Sequence, residues 1–171
     1  HKKIPADLPA EVAETVRQNA IDVYRALDCK GFALKNWKAT KPLFKSLGGA
    51  VKNLVIDSSC TLTPANAKGA FGFVAAMVEK TGELENIVNN VASITLNATA
   101  YGAGSDQTED AVYFGTLAGQ CYGSIVGCTN NCDVTINTTP VGDDERGMVY
   151  IGGVVGLIDG VLDNCHNTGD V

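Results

Sequence analysis

One six-residue pattern occurs four times in this chain without a gap: Gly49-Ala-Val-Lys-Asn-Leu54, Gly82-Glu-Leu-Glu-Asn-Ile87, Gly123-Ser-Ile-Val-Gly-Cys128 and Gly160-Val-Leu-Asp-Asn-Cys165. Each copy has a glycine, an aliphatic residue two places on, Asn or Gly two places later, then an apolar residue. Successive glycines are 33, 41 and 37 residues apart. A second motif precedes three of the copies: Gly72-Phe-Val-Ala75 after Phe71, Gly115-Thr-Leu-Ala118 after Phe114, and Gly153-Val-Val-Gly156 after Gly152. Leu43-Phe44 holds the related place in the first repeat. Coupled motifs recurring in one order at this period mark stacked units, none of which can bury its apolar face alone.

Each part of the pattern has an expected role. Aliphatic residues two or three apart, as in Val51, Leu54 and Ile56 or Leu162 and Cys165, suit short strands over a shared core. Gly49, Gly82, Gly123 and Gly160 are expected where the chain turns with φ > 0. Asn53, Asn86 and Asn164 share one position, where stacked amides can bond along the stack or to turn backbone. Cys128 and Cys165 share the next, either as stacked buried thiols or as a disulfide. Hydrophobic residues make up 45% but aromatics only 6%, with 19 glycines, which suits thin, regular layers. The expected fold is all-β: a right-handed parallel β-helix (solenoid) of four to five coils over residues 28–171. Thr99–Ala111 and Thr138–Gly147 are polar, contain glycine and follow β-rich runs. They read as loops thrown out from corresponding places in successive coils, side by side on one face.

Residues 1–27 differ. Leu8, Val12, Val16, Ala20, Tyr24 and Leu27 recur every three or four positions, with Glu11, Glu14, Arg17, Gln18 and Asp22 largely off that stripe. Asp7 and Pro9 provide a start. An amphipathic helix over residues 5–27 is predicted, suited to cap the open end of a solenoid. With no initiator Met, His1-Lys2-Lys3 reads as an internal start. The chain stops at Val171 just after a repeat motif, which points to a fragment of a longer array.

Two stretches resemble known families. Residues 4–33, IPADLPAEVAETVRQNAIDVYRALDCKGFA, resemble part of the C-terminal ATP-grasp region of bacterial D-alanine–D-alanine ligases. That family continues into an Arg-Val-Asp-type segment whose Asp helps hold magnesium. Here Leu34 and Asn36 stand at the Arg and Asp positions, and so short a piece cannot supply a nucleotide site, so no ligase activity is implied. From about Leu27 onward, LDCKGFALKNW and IGGVVGLIDGVLDNCHNTGDV resemble the GLUG-type repeats of bacterial surface proteins and adhesins, with Cys29 replacing a glycine of the usual opening. That resemblance implies a solenoid serving as a stalk or display surface at the bacterial cell surface or outside the cell.

Composition and motifs narrow the function. Net charge is −6, with Lys and Arg concentrated before residue 55, which argues against a nucleic-acid partner. No apolar run approaches the ~20 residues of a membrane span. Of six cysteines, Cys121, Cys128 and Cys132 form the one tight group, without a C-x-x-C pair or a nearby histidine, so no metal site is expected. His166 is the single internal histidine and follows Cys165, so the two side chains should point to opposite faces, which is unsuited to a nucleophile–base pair. Asp106, Glu109 and Asp110 in one loop and Asp143, Asp144 and Glu145 in the next would meet if the loops are adjacent, with Arg146 nearby. Such acids are solvated loop charge, a calcium site or the acid cluster of a polysaccharide-acting β-helix enzyme. Trp37, Tyr101, Tyr113, Tyr122 and Tyr150 are the candidate sugar-stacking rings, Tyr101 on a loop. The expectation is a noncatalytic module for adhesion or display with no cofactor required. Its partner would be a host or bacterial surface protein or a glycan, met through Tyr101 and the six loop acids.

Overall fold

The computed structural model describes Pro9 and residues 11–12, 14–15, 32–63, 69–100, 111–140 and 149–171. The chain divides into two compact units, His1–Phe32 and Ala33–Val171. In the first, Glu11, Val12, Glu14 and Thr15 have helical backbone, and the Thr15 hydroxyl donates to the Glu11 carbonyl at 2.8 Å. The rest of the predicted helix, and with it the cap, lies outside the described residues. Among the described residues no helix is long and apolar enough to cross a membrane.

The second unit is all-β. Its chain enters through β1 (Phe32–Leu34) and β2 (Lys38–Ala39), then passes β3 (Phe44–Leu47), β4 (Ala50–Lys52), β5 (Leu54–Ile56) and β6 (Thr61–Leu62). A second pass comprises β7 (Gly69–Phe71), β8 (Ala75–Val78), β9 (Glu83–Glu85), β10 (Val88–Asn89) and the longer β11 (Ser93–Ala100). A third follows the same course through β12 (Val112–Gly115), β13 (Ala118–Cys121), β14 (Ser124–Val126), β15 (Thr129–Asn130) and β16 (Asp133–Pro140). The fourth has β17 (Val149–Gly152), β18 (Val155–Ile158), β19 (Val161–Asp163) and β20 (His166–Asn167). Like strands stack in the orders β3-β8-β13-β18, β4-β9-β14-β19, β1-β5-β10-β15-β20, β7-β12-β17, β2-β6 and β11-β16. The pairings are parallel, the arrangement of a β-helix or solenoid. β1 and β2 stack on β5 and β6 and so precede the first full layer; β3–β6 and the three passes after them are called layers one to four below.

The six-residue motifs lie one upon another. Val51 pairs with Leu84, Leu84 with Ile125, and Ile125 with Leu162. The preceding motif stacks differently from the expected alignment in the last repeat. Gly115 pairs with Gly152 rather than Gly153, and Ala118 with Val155 rather than Gly156. Ile151, not Gly152, thereby continues the column of Phe71 and Phe114. A slip of one residue would exchange the faces of every side chain in the strand, so the apolar column sets the register.

The opening glycines also need a different explanation. Positive φ falls instead on the fifth place of each motif: Asn53 at 56°, Asn86 at 54°, Gly127 at 62° and Asn164 at 49°. Asn tolerates this left-handed conformation better than other side-chain-bearing residues, which is why Gly replaces it in the third repeat. The opening glycines are required by proximity. A Cβ on Gly82 would lie 2.2 Å from the Leu47 carbonyl oxygen, one on Gly123 2.2 Å from that of Gly82, and one on Gly160 2.2 Å from that of Gly123. Gly49, in layer one, meets nothing within 4 Å.

The core is a column of aliphatic and small side chains between these walls, including Leu54, Ile56, Val78, Leu84, Ile87, Leu117 and Ile125, with Phe73 and Phe114 as its buried rings. β11 and β16 run beside each other for eight residues, from Ser93 opposite Asp133 to Ala100 opposite Pro140. Residues 99–100 and 138–140, expected in loops, are therefore strand. Each strand supplies the other's backbone hydrogen bonds, and the β-branched threonines favour extended backbone.

Candidate functional site

Two-residue strands followed by a bend place one asparagine inward in each of three layers. Asn89 and Asn130 are fully buried, and Asn167 is their exposed counterpart in layer four. Asn89 Nδ2 donates to Asn130 Oδ1 at 2.9 Å, and Asn130 Nδ2 donates to Asn167 Oδ1 at 2.7 Å. Each amide also ties down the bend that follows it. Val91 N donates to Asn89 Oδ1 and Cys132 N to Asn130 Oδ1, each at 3.2 Å, while Asn167 Nδ2 reaches the Gly169 carbonyl at 2.7 Å. Ile56 occupies this place in layer one and ends the ladder with an apolar side chain. A buried amide left unpaired costs about 1–3 kcal/mol, so the ladder holds only if every rung is met. Among the described residues no buried side-chain nitrogen or oxygen lacks a partner.

Beside this inner ladder runs an outer one. Asn131 Nδ2 donates to Asn90 Oδ1 at 2.8 Å, and the Thr168 hydroxyl to Asn131 Oδ1 at 2.7 Å. At the motif corner, Asn86 Nδ2 donates to Asn53 Oδ1 at 3.2 Å. Asn89, Asn130 and Asn167 were not singled out from the sequence. Their signal was a common offset, each lying seven residues after its motif glycine (82 to 89, 123 to 130, 160 to 167).

Cys60, Cys121, Cys128 and Cys132 are buried free thiols, and Cys165 is a half-buried one, so no disulfide joins Cys128 to Cys165. Burial pushes the Cys128 thiol up to about 11 and the Cys132 thiol up to about 12. Thiols so hard to ionise are poor nucleophiles and metal ligands at neutral pH. Lys52 bridges two acids of the next layer, at 2.8 Å from Glu83 and in contact with Glu85. Hydrogen bonds to Glu83 and Glu85 raise its pKa. Lys52 is exposed and the two glutamates are half-buried, and ion pairs at such a surface contribute little to stability.

The expected ligand-binding residues Tyr101, Asp106, Glu109, Asp110, Asp143, Asp144 and Glu145 lie outside the described residues, as does Arg146. The strands leading into their two loops are described, and those are paired up to Ala100 and Pro140. Among the candidate rings, Tyr113 and Tyr150 stack on neighbouring layers, with centroids 4.9 Å apart and planes 7° from parallel. Desolvation, with Tyr150 and Tyr122 nearby, raises the Tyr113 pKa. Trp37 packs against the core, 6.2 Å from the Phe73 ring, and is no open platform. His166 is exposed beside half-buried Cys165. Among the described residues no three His, Cys, Asp or Glu side chains gather in a metal-holding group. No protein-family model matches the chain, and neither a curated protein nor a solved structure matches it.

Proposed function

We propose that the chain is a noncatalytic module of a bacterial cell-surface or secreted protein. In this reading it is a right-handed β-solenoid of four to five coils, capped by the helix of residues 1–27. It displays the loops around residues 99–111 and 138–147, past the strand ends at Ala100 and Pro140, to a surface protein or glycan. Parallel crossovers wind right-handed almost without exception. The GLUG-type resemblance of residues 27–171 supports the surface location. The observation that carries the reading is the pairing of β11 with β16 over eight residues, which brings the roots of both loops together. Rigid stems under adjacent loops are how scaffolds present binding residues. Replacing each loop by a short Gly-Ser linker should leave the melting temperature within a few degrees and abolish adhesion to host-cell monolayers. Adhesion that survives both replacements contradicts display through the loops.

The same pairing favours a second reading, in which the six loop acids form a calcium site or the site of a polysaccharide-acting enzyme. Calcium should then raise the melting temperature, and Asp143→Ala/Asp144→Ala/Glu145→Ala should remove that rise. An unchanged melt leaves the acids as solvated charge.

A further inference from the structure

Layer one takes a short cut. Only residues 40–43 lie between β2 and β3, whereas residues 63–74 lie between β6 and β8 and include β7. The sheet β7-β12-β17 consequently has three strands where its neighbour β3-β8-β13-β18 has four. β7 is the edge of that sheet, and among the described residues no strand fills the layer-one place beside it. A groove of about 650 Å³ is lined by all three residues of β7 together with Lys41, Lys45, Met77 and Gln120.

We propose that this groove takes an extended acidic peptide, which adds to the free edge of β7 as the missing strand. An unpaired edge offers its backbone N–H and C=O groups to any chain that can reach them. Edges are commonly protected by charge or proline on the strand itself, yet β7 is Gly69-Ala70-Phe71 and carries neither. The charge comes from the lysines that line the same groove. Lys41 and Lys45 are exposed and make no ion pair among the described residues, unlike Lys52. Two unpaired ammonium groups in the same groove as an open backbone edge select carboxylates on the incoming strand. Phe71 and Met77 suit apolar residues alternating with them. The site is independent of the display loops.

The test uses the full chain and a fluorescein-labelled Glu-Val-Glu-Val-Glu peptide, followed by anisotropy. The peptide should bind, and binding should fall at least about tenfold in Lys41→Glu/Lys45→Glu, whose unchanged melt reports an intact fold. A copy of the peptide N-methylated at every residue keeps its charge but has no backbone N–H to give to a strand edge, and it should bind at least about tenfold more weakly. Amide exchange at residues 69–71 should slow in the complex. Absence of binding, equal binding by the charge-reversed variant, or equal binding of the methylated peptide overturns the proposal. So does lysine-dependent binding of oligogalacturonate without binding of the peptide, which would assign the groove to an acidic glycan.

Discussion

Leu84 and Ile125 are fully buried, whereas Leu162, stacked on Ile125 at the same place in the fourth repeat, is 45% exposed. The same contrast holds elsewhere in these layers. Val78 and Cys121 are buried and Ile158 is exposed, and Cys128 is buried while Cys165 is half-buried. The residue types hardly change between the third and fourth layers, but the number of neighbours does. In a stacked repeat, a core residue is made by having a layer on both sides, not by its own hydrophobicity. Layer one shows the same rule from the other direction, since Gly49 has open space where Gly82, Gly123 and Gly160 each meet a carbonyl of the layer before.

The largest expected effect comes from that glycine column. Gly123→Ala forces a methyl into the carbonyl oxygens of Gly82 and Glu79 and should destabilise by about 3 kcal/mol, by urea denaturation. Gly49→Ala should stay within about 0.5 kcal/mol of the parent. Equal losses at both positions would mean that glycine serves a turn and not the stacking. Next, Ile125→Ala should cost about 3 kcal/mol through the cavity it leaves, and Leu162→Ala about 1 kcal/mol or less. A loss at Leu162 as great as that at Ile125 would break the comparison, because it would require layer four to be covered.

A separate effect is one of pH. A thiol in the unfolded chain ionises near pH 9, whereas burial holds Cys128 to about 11 and Cys132 to about 12. Their raised folded values contribute stability that is fully present below pH 9. It is lost progressively between pH 9 and about 12, as the unfolded chain releases protons that the folded chain retains. Urea midpoints taken at intervals from pH 8.5 to 10.5 should fall less steeply for Cys128→Ala/Cys132→Ala than for the parent. Parallel slopes would show that these thiols do not carry the alkaline loss.

Much of the layering was legible in the sequence, because stacking makes one-dimensional periodicity and three-dimensional contact the same thing. The spacings from Gly49 to Gly160 are the offsets by which Val51, Leu84, Ile125 and Leu162 pair. What the glycines do was not legible. Their constraint comes from a carbonyl more than thirty residues away, which no local pattern records. The inner ladder was obscured for a different reason. Asn89-Asn90 and Asn130-Asn131 each offer two asparagines, and only the fold decides which turns inward, while Ile56 interrupts the column in layer one. Gly153 misled the alignment because Gly152 beside it fits the pattern equally well. Of the candidate binding residues, the stems under the loops are described and the seven side chains themselves are not.

An inner amide ladder locks layers two to four in register. It is tested most directly by the Asn130 side-chain amide in nuclear magnetic resonance. Its two protons should exchange slowly with water and show cross-peaks to the side chains of Asn89 and Asn167, forty-one residues before it and thirty-seven after it. Rapid exchange without either cross-peak would contradict the ladder and the stacking it holds.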